Sequence, residues 1–135
     1  MNKIEHIGIA VKDLEKSSLL YRKLLGYESY KTELVETEKV ITEFFKIGDS
    51  KLELLQAIAD QGAIASFIEK KGEGIHHIAF AVDNIVEEMA RLKDEGFQLL
   101  NDVPKKGADN KLVCFVHPKT AGGVLIELCQ EISQP

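Results

Sequence analysis

Four residues spread along the chain carry donor atoms that a divalent cation accepts: His6, Glu53, His77 and Glu127. Imidazole nitrogen and carboxylate oxygen together suit cobalt, manganese, nickel, iron or zinc, and two neutral imidazoles with two carboxylates balance a dication. Each glutamate stands between apolar neighbours, Leu52 and Leu54 in one case, Ile126 and Leu128 in the other. A carboxylate buried in such a strand must be paired, protonated or metal-bound. Taken singly, each of the four is equally compatible with a satisfied core group or a side chain facing water. Their spacing joins them: Glu53 follows His6 by 47 residues, and Glu127 follows His77 by 50. Nearly equal intervals are what a duplicated chain gives if one histidine and one glutamate from each half meet at a single ion.

The duplication is visible in the elements that must position these residues. IEHIGIAV at 4–11 and IHHIAFAV at 75–82 superpose on a shift of 71, placing Ile4 on Ile75, His6 on His77, Ile7 on Ile78, Ala10 on Ala81 and Val11 on Val82. Each copy leads into a helical pattern. In the first, Leu14, Ser17, Leu20, Tyr21, Leu24 and Leu25 recur at helical spacing, with Asp13 as N-cap and Gly26 as stop. In the second, Asn84 caps, Glu87 takes the capping-box position and Gly96 terminates. Both halves close on matching strands, KLELLQ at 51–56 and LIELCQ at 125–130, which align Glu53 with Glu127, Leu54 with Leu128 and Gln56 with Gln130.

Each half therefore reads as strand, helix, then three strands. The later strands fall near 28–35, 39–47 and 51–57, and near 97–101, 111–117 and 123–130. Ile64, Phe67 and Ile68 mark a linker helix over 61–71, followed by Gly72 and Gly74. The expectation is an α+β fold in one domain: two tandem βαβββ modules, residues 1–58 and 74–131, packed as a pseudo-twofold pair around the metal site. One half alone has a single sheet face to bury and would be marginal. Alternation along the opening strands puts His6, Gly8 and Ala10 on one face, and Ile7, Ile9 and Val11 on the helix side. His77, Ala79 and Ala81 repeat the arrangement. Each histidine thus lies among small residues, which leaves room in front of it.

At 135 residues the chain suffices for one compact domain and hardly for two. Its net charge of −5 argues against a nucleic-acid partner. No apolar run is long enough to span a bilayer, and MNKIEHIGIAV lacks the features of a signal peptide, so a soluble cytoplasmic protein is expected. Cys114 and Cys129 sit in different strands with no cysteine at ligand spacing. They read as small buried apolar residues rather than a disulfide or a thiolate zinc site. Lys105, Lys106, Lys111 and Lys119 concentrate positive charge in one stretch.

HIGIAVKDLEKS at 6–17, GDSKLELLQ at 48–56, AIASFIEKKGEGIHHIAFAVDNI at 63–85 and HPKTAGGVLIEL at 117–128 resemble the vicinal oxygen chelate superfamily, of glyoxalase fold, and within it the methylmalonyl-CoA epimerases. The resemblance covers nearly the whole chain, and its third and fourth segments are more specific than the metal residues. It implies metal ligands at His6, Glu53, His77 and Glu127, holding one divalent ion, cobalt ahead of manganese, nickel or zinc. Some epimerases carry glutamine where this chain has Glu53. The implied activity interconverts (R)- and (S)-methylmalonyl-CoA by removing and returning the proton beside the thioester. An acyl-CoA substrate and a homodimer follow from the same resemblance.

Inversion calls for two acid–base groups. The resemblance implies Glu127 as one, and Glu43 is the expectation for the other: it lies in KVITEFFKIG with Ile41 and Phe45 on its own strand face, where an acid amid apolar groups suits proton transfer. The plain alternative is an edge-strand glutamate leaning into water. Among the lysines, Lys106 and Lys119 are candidates for the coenzyme A phosphates, beside the alternative of solvated loop residues. His117 before Pro118 shapes a turn or touches substrate, and His76, facing away from His77, is structural. Rivals are glyoxalase I, which the four ligands do not exclude, an extradiol dioxygenase, which needs one ligand fewer, and a metal-free binding protein of the same fold.

Overall fold

A computed structural model describes residues 1–132. The chain order is β1 (Lys3–Ala10), α1 (Leu14–Leu25), β2 (Lys31–Val35), β3 (Val40–Ile47), β4 (Ser50–Ala57), α2 (Ala63–Lys71), β5 (Gly74–Ala81), α3 (Ile85–Asp94), β6 (Lys105–Gly107), β7 (Lys111–Val116) and β8 (Ile126–Glu131). Two compact units result: residues 6–76, and Met1–Glu5 together with the chain from His77 onward. The first contains α2, the helix expected as a linker.

In residues 6–76 the strands lie in the order β2-β3-β4-β1, with β4 parallel to β1 and the remaining pairs antiparallel. The other unit repeats this as β6-β7-β8-β5, with β8 parallel to β5. A parallel pair needs a crossover, and α1 or α3 begins that crossover in each case. Asp13 accepts from the Lys16 amide at 3.2 Å and Asn84 from the Glu87 amide at 3.1 Å, caps worth about 1 kcal/mol each. The aligned glutamines reach the same helices from the closing strands. Gln56 Oε1 accepts from the Leu14 amide at 2.6 Å, and Gln130 Oε1 from the Ile85 amide at 2.7 Å. Both satisfy an amide that the first helical turn leaves without an internal partner, and both tie the glutamate-bearing strand to its helix. Gly26 stops α1 at φ 89°, a backbone region that favours glycine.

Behind β1 and β4, Ile7, Ile9, Leu14, Tyr21 and Leu25 pack on buried Val11, Phe45, Leu52 and Leu54. In the other unit, Ile85, Met89 and Leu92 of α3 pack on Val82, Cys114, Val116 and Leu128. Among the described residues no helix is long and apolar enough to cross a membrane.

The expected strand at 97–101 does not form. Leu99 makes only an isolated bridge to Val116, and the edge strand is Lys105–Gly107 instead. Asn101 accounts for the difference. Its Oδ1 accepts from the Phe115 amide at 3.1 Å and its Nδ2 donates to the Val103 carbonyl at 2.7 Å. A side-chain amide thus takes the rung on which a main-chain ladder would have continued.

Candidate functional site

In residues 6–76, β1 and β4 run parallel with Gly8 opposite Glu53. Leu52 and Leu54 point to the helix side, so Glu53 must point to the other, where His6, Gly8 and Ala10 lie. The small residues leave space that the two polar side chains fill. His6 Nδ1 stands 3.1 Å from Glu53 Oε2, with side chains 6 % and 5 % exposed. The other unit repeats the construction: Ala79 lies opposite Glu127, and His77 Nε2 stands 3.2 Å from Glu127 Oε1. In both units a phenylalanine occupies the neighbouring antiparallel strand opposite the glutamate, Phe44 for Glu53 and Phe115 for Glu127. A lysine lies over each ring, Lys31 at 4.9 Å from the Phe44 centroid and Lys105 at 5.7 Å from that of Phe115.

Whether a divalent ion fits is a question about these donors. Two atoms bound to one ion at about 2.1 Å and near a right angle lie roughly 3 Å apart, and each pair has that separation. Each pair offers one nitrogen and one oxygen, both buried. A carboxylate kept this far from water needs a cationic or hydrogen-bonded partner, which its histidine supplies at least in part. The donor set of each unit fits a divalent ion.

Glu43, expected as the second acid–base group, lies apart from these two pairs. On β3 it sits opposite Leu54, while Phe44 sits opposite Glu53. Glu43 and Glu53 therefore occupy opposite faces of the same sheet. Glu43 accepts from Ser29 Oγ at 2.9 Å and lines a cavity of about 680 Å³ on the α1 side, with Leu14, Ser18, Ile41 and Gln56. The residue on the Glu53 face is its neighbour Thr42, fully buried, whose hydroxyl has no hydrogen-bond partner among the described residues.

His117 caps the short turn Pro118–Thr120 by accepting from the Lys119 amide at 3.0 Å, so shaping a turn is the role the geometry gives it. Lys105, Lys106 and Lys119 are exposed, and Lys111 lies 3.9 Å from Glu131. His76 packs edge-on against Phe67 at 5.0 Å. Both cysteines are buried thiols rather than a disulfide, and burial pushes the Cys114 thiol above its usual range. Reading Cys129 as merely apolar missed a contact, because its Sγ donates to Glu127 Oε2 at 2.9 Å. The signal for it was the spacing: in a strand, residues two apart share a face.

The pattern of the glyoxalase/bleomycin resistance protein/dioxygenase superfamily matches residues 5–115. An ethylmalonyl-CoA/methylmalonyl-CoA epimerase of Cereibacter sphaeroides is 38% identical, over 96% of this chain and 98% of its own length. The mitochondrial methylmalonyl-CoA epimerase of Mus musculus is also 38% identical, over 96% of this chain and 74% of its own. A Streptomyces coelicolor methylmalonyl-CoA epimerase variant, solved in complex with 2-nitronate-propionyl-CoA, superposes with a TM-score of 0.94 at 35% identity, covering 100% of this chain and 99% of that one.

Proposed function

The chain belongs to the methylmalonyl-CoA epimerase family within the glyoxalase/bleomycin resistance protein/dioxygenase superfamily, and from that premise we propose that it interconverts (R)- and (S)-methylmalonyl-CoA at a site made of its two histidine–glutamate pairs. The observation that carries the proposal is the repetition: two buried pairs, His6 with Glu53 and His77 with Glu127, each about 3 Å apart. We assign all four as ligands of one divalent ion, cobalt ahead of manganese, nickel or zinc.

The carbon to be inverted lies between a thioester carbonyl and a carboxylate. Loss of its proton leaves negative charge on the thioester oxygen, which must be stabilised for the step to be fast. A divalent ion held by His6, Glu53, His77 and Glu127 would supply that stabilisation as a Lewis acid. Glu127 is the proposed proton carrier. Ala79, Val113 and Phe115 surround its end of β8 with apolar groups, and a carboxylate so surrounded holds its orientation. Return of the proton on the opposite face needs a second donor. Glu43 was expected to be that donor, and its position across the sheet from Glu53 weighs against it. Lys106 and Lys119, both exposed, are proposed to meet the phosphates of coenzyme A. A homodimer in the cytoplasm completes the reading.

The test is incubation with methylmalonyl-CoA in deuterated water. Exchange at the α-carbon is expected, lost on chelation and restored by added cobalt. Glu43→Gln is expected to leave it unchanged; a large loss in that variant would return Glu43 to the mechanism. Turnover of methylglyoxal with glutathione, without exchange on methylmalonyl-CoA, would reverse the assignment toward glyoxalase I.

A further inference from the structure

The two closing strands, matched residue by residue, differ at a buried position beside the glutamate. Two residues past Glu127 on β8, and so on the same face, stands Cys129; two residues past Glu53 on β4 stands Leu55. Both are buried, at 2% and 7% exposure. Each lies opposite the equivalent residue of the neighbouring strand, Val113 for Cys129 and Thr42 for Leu55. Leucine has no polar atom to offer its glutamate. The cysteine thiol donates to Glu127 Oε2 at 2.9 Å, while Oε1 of the same carboxylate faces His77 Nε2 at 3.2 Å. Ala79, Val113 and partly buried Phe115 pack around Cys129, and a hydrogen bond in apolar surroundings is stronger than the same bond in water.

From this asymmetry we propose that Cys129 is a positioning residue for Glu127. Its S–H engages Oε2, sets the plane of the carboxylate and leaves Oε1 as the oxygen turned to His77. The kinetic consequence rests on the function proposed above; the hydrogen bond itself does not. A thiol is a weak donor, and small buried cysteines commonly serve as packing alone. Two observations separate the roles here. The thiol lies on the polar face of its strand, within reach of a buried carboxylate oxygen, and the first unit fills the corresponding place with a larger residue that only packs.

Two substitutions and one spectroscopic measurement test this. Cys129→Val removes the donor at similar volume, and Cys129→Ser keeps one. Losing a partner that orients a ligating or reacting side chain typically costs about tenfold or more. Cys129→Val is therefore expected to lower kcat for α-proton exchange about tenfold with KM unchanged, and Cys129→Ser to recover most of the loss. In the metal-free protein, an infrared difference spectrum between wild type and Cys129→Val isolates the S–H stretch of Cys129. That band is expected at a hydrogen-bonded position and should return toward the free position in Glu127→Ala. Full activity in Cys129→Val, equal impairment in the Ser and Val variants, or a band unmoved by Glu127→Ala would overturn the proposal. If wild-type protein shows no exchange at all, the functional reading fails by itself, and the infrared band still decides the thiol.

Discussion

Helices α1 and α3 hold the same place in their two units, yet they are buried very differently. α3 places Ile85, Met89 and Leu92 in the core. α1 fully buries none of its residues, and its Leu20 and Leu24 are 61% and 70% exposed. The polar groups behave in the opposite way. His6 with Glu53 and His77 with Glu127, and likewise Gln56 and Gln130 with their helices, pair the same residue types in both units at nearly the same distances, although His6 uses Nδ1 and His77 uses Nε2. Packing that only has to be apolar tolerates many solutions, whereas a buried polar group needs a partner at a defined place. The units agree where chemistry is exacting and diverge where it is permissive. The neighbours of the two glutamates fall between these extremes: Cys129 donates to Glu127, and Leu55 stands at its counterpart.

The sharpest way to break the apparent equivalence is to neutralise each glutamate in turn. If Glu127 carries the proton and Glu53 only binds metal, Glu127→Gln should lower α-proton exchange by about 10²–10⁴-fold. Glu53→Gln, which keeps an oxygen donor, should lose far less once cobalt is saturating. Equal losses in stopped-time exchange assays would make the two carboxylates functionally alike.

Next in size is the contrast between the helices. Met89→Ala should destabilise by about 2–5 kcal/mol, the cost of a cavity in a packed core. Leu24→Ala should stay within about 0.5 kcal/mol, as expected for an exposed position. Urea denaturation of both variants measures the difference, and a large loss for Leu24→Ala would show that its face is covered in solution.

The smallest effect concerns the residues under the two glutamates. Thr42 buries a hydroxyl without a partner among the described residues, where the other unit has Val113. Thr42→Val should leave stability unchanged or raise it slightly, while Val113→Thr should cost about 1–3 kcal/mol by burying a new unsatisfied group. Loss of stability in Thr42→Val would show that its hydroxyl is satisfied in solution.

Much of this is legible in the amino-acid sequence alone. The caps at Asp13 and Asn84 and the stop at Gly26 depend on a few adjacent residues, and the helices begin and end there. The faces of His6 and His77 follow from alternation alone. The segment at 97–101 was not legible, because Phe97, Leu99 and Leu100 look like a strand until the Asn101 amide takes the next rung from Phe115. The sequence groups Glu43 with Ile41 and Phe45 on one face, but which face that is relative to Glu53 depends on how β3 registers against β4, and a slip of one residue would exchange the faces.

By itself the sequence determined that the chain is built twice, which strand faces hold the histidines, and which residue types await a partner there, since all of these follow from local periodicity and repetition. Only the tertiary structure decided that each histidine lies about 3 Å from its own glutamate, that Glu43 faces away, and that a thiol engages one oxygen of Glu127. Those outcomes depend on register and approach between strands distant along the chain, where an error of one residue or one ångström changes which atoms meet.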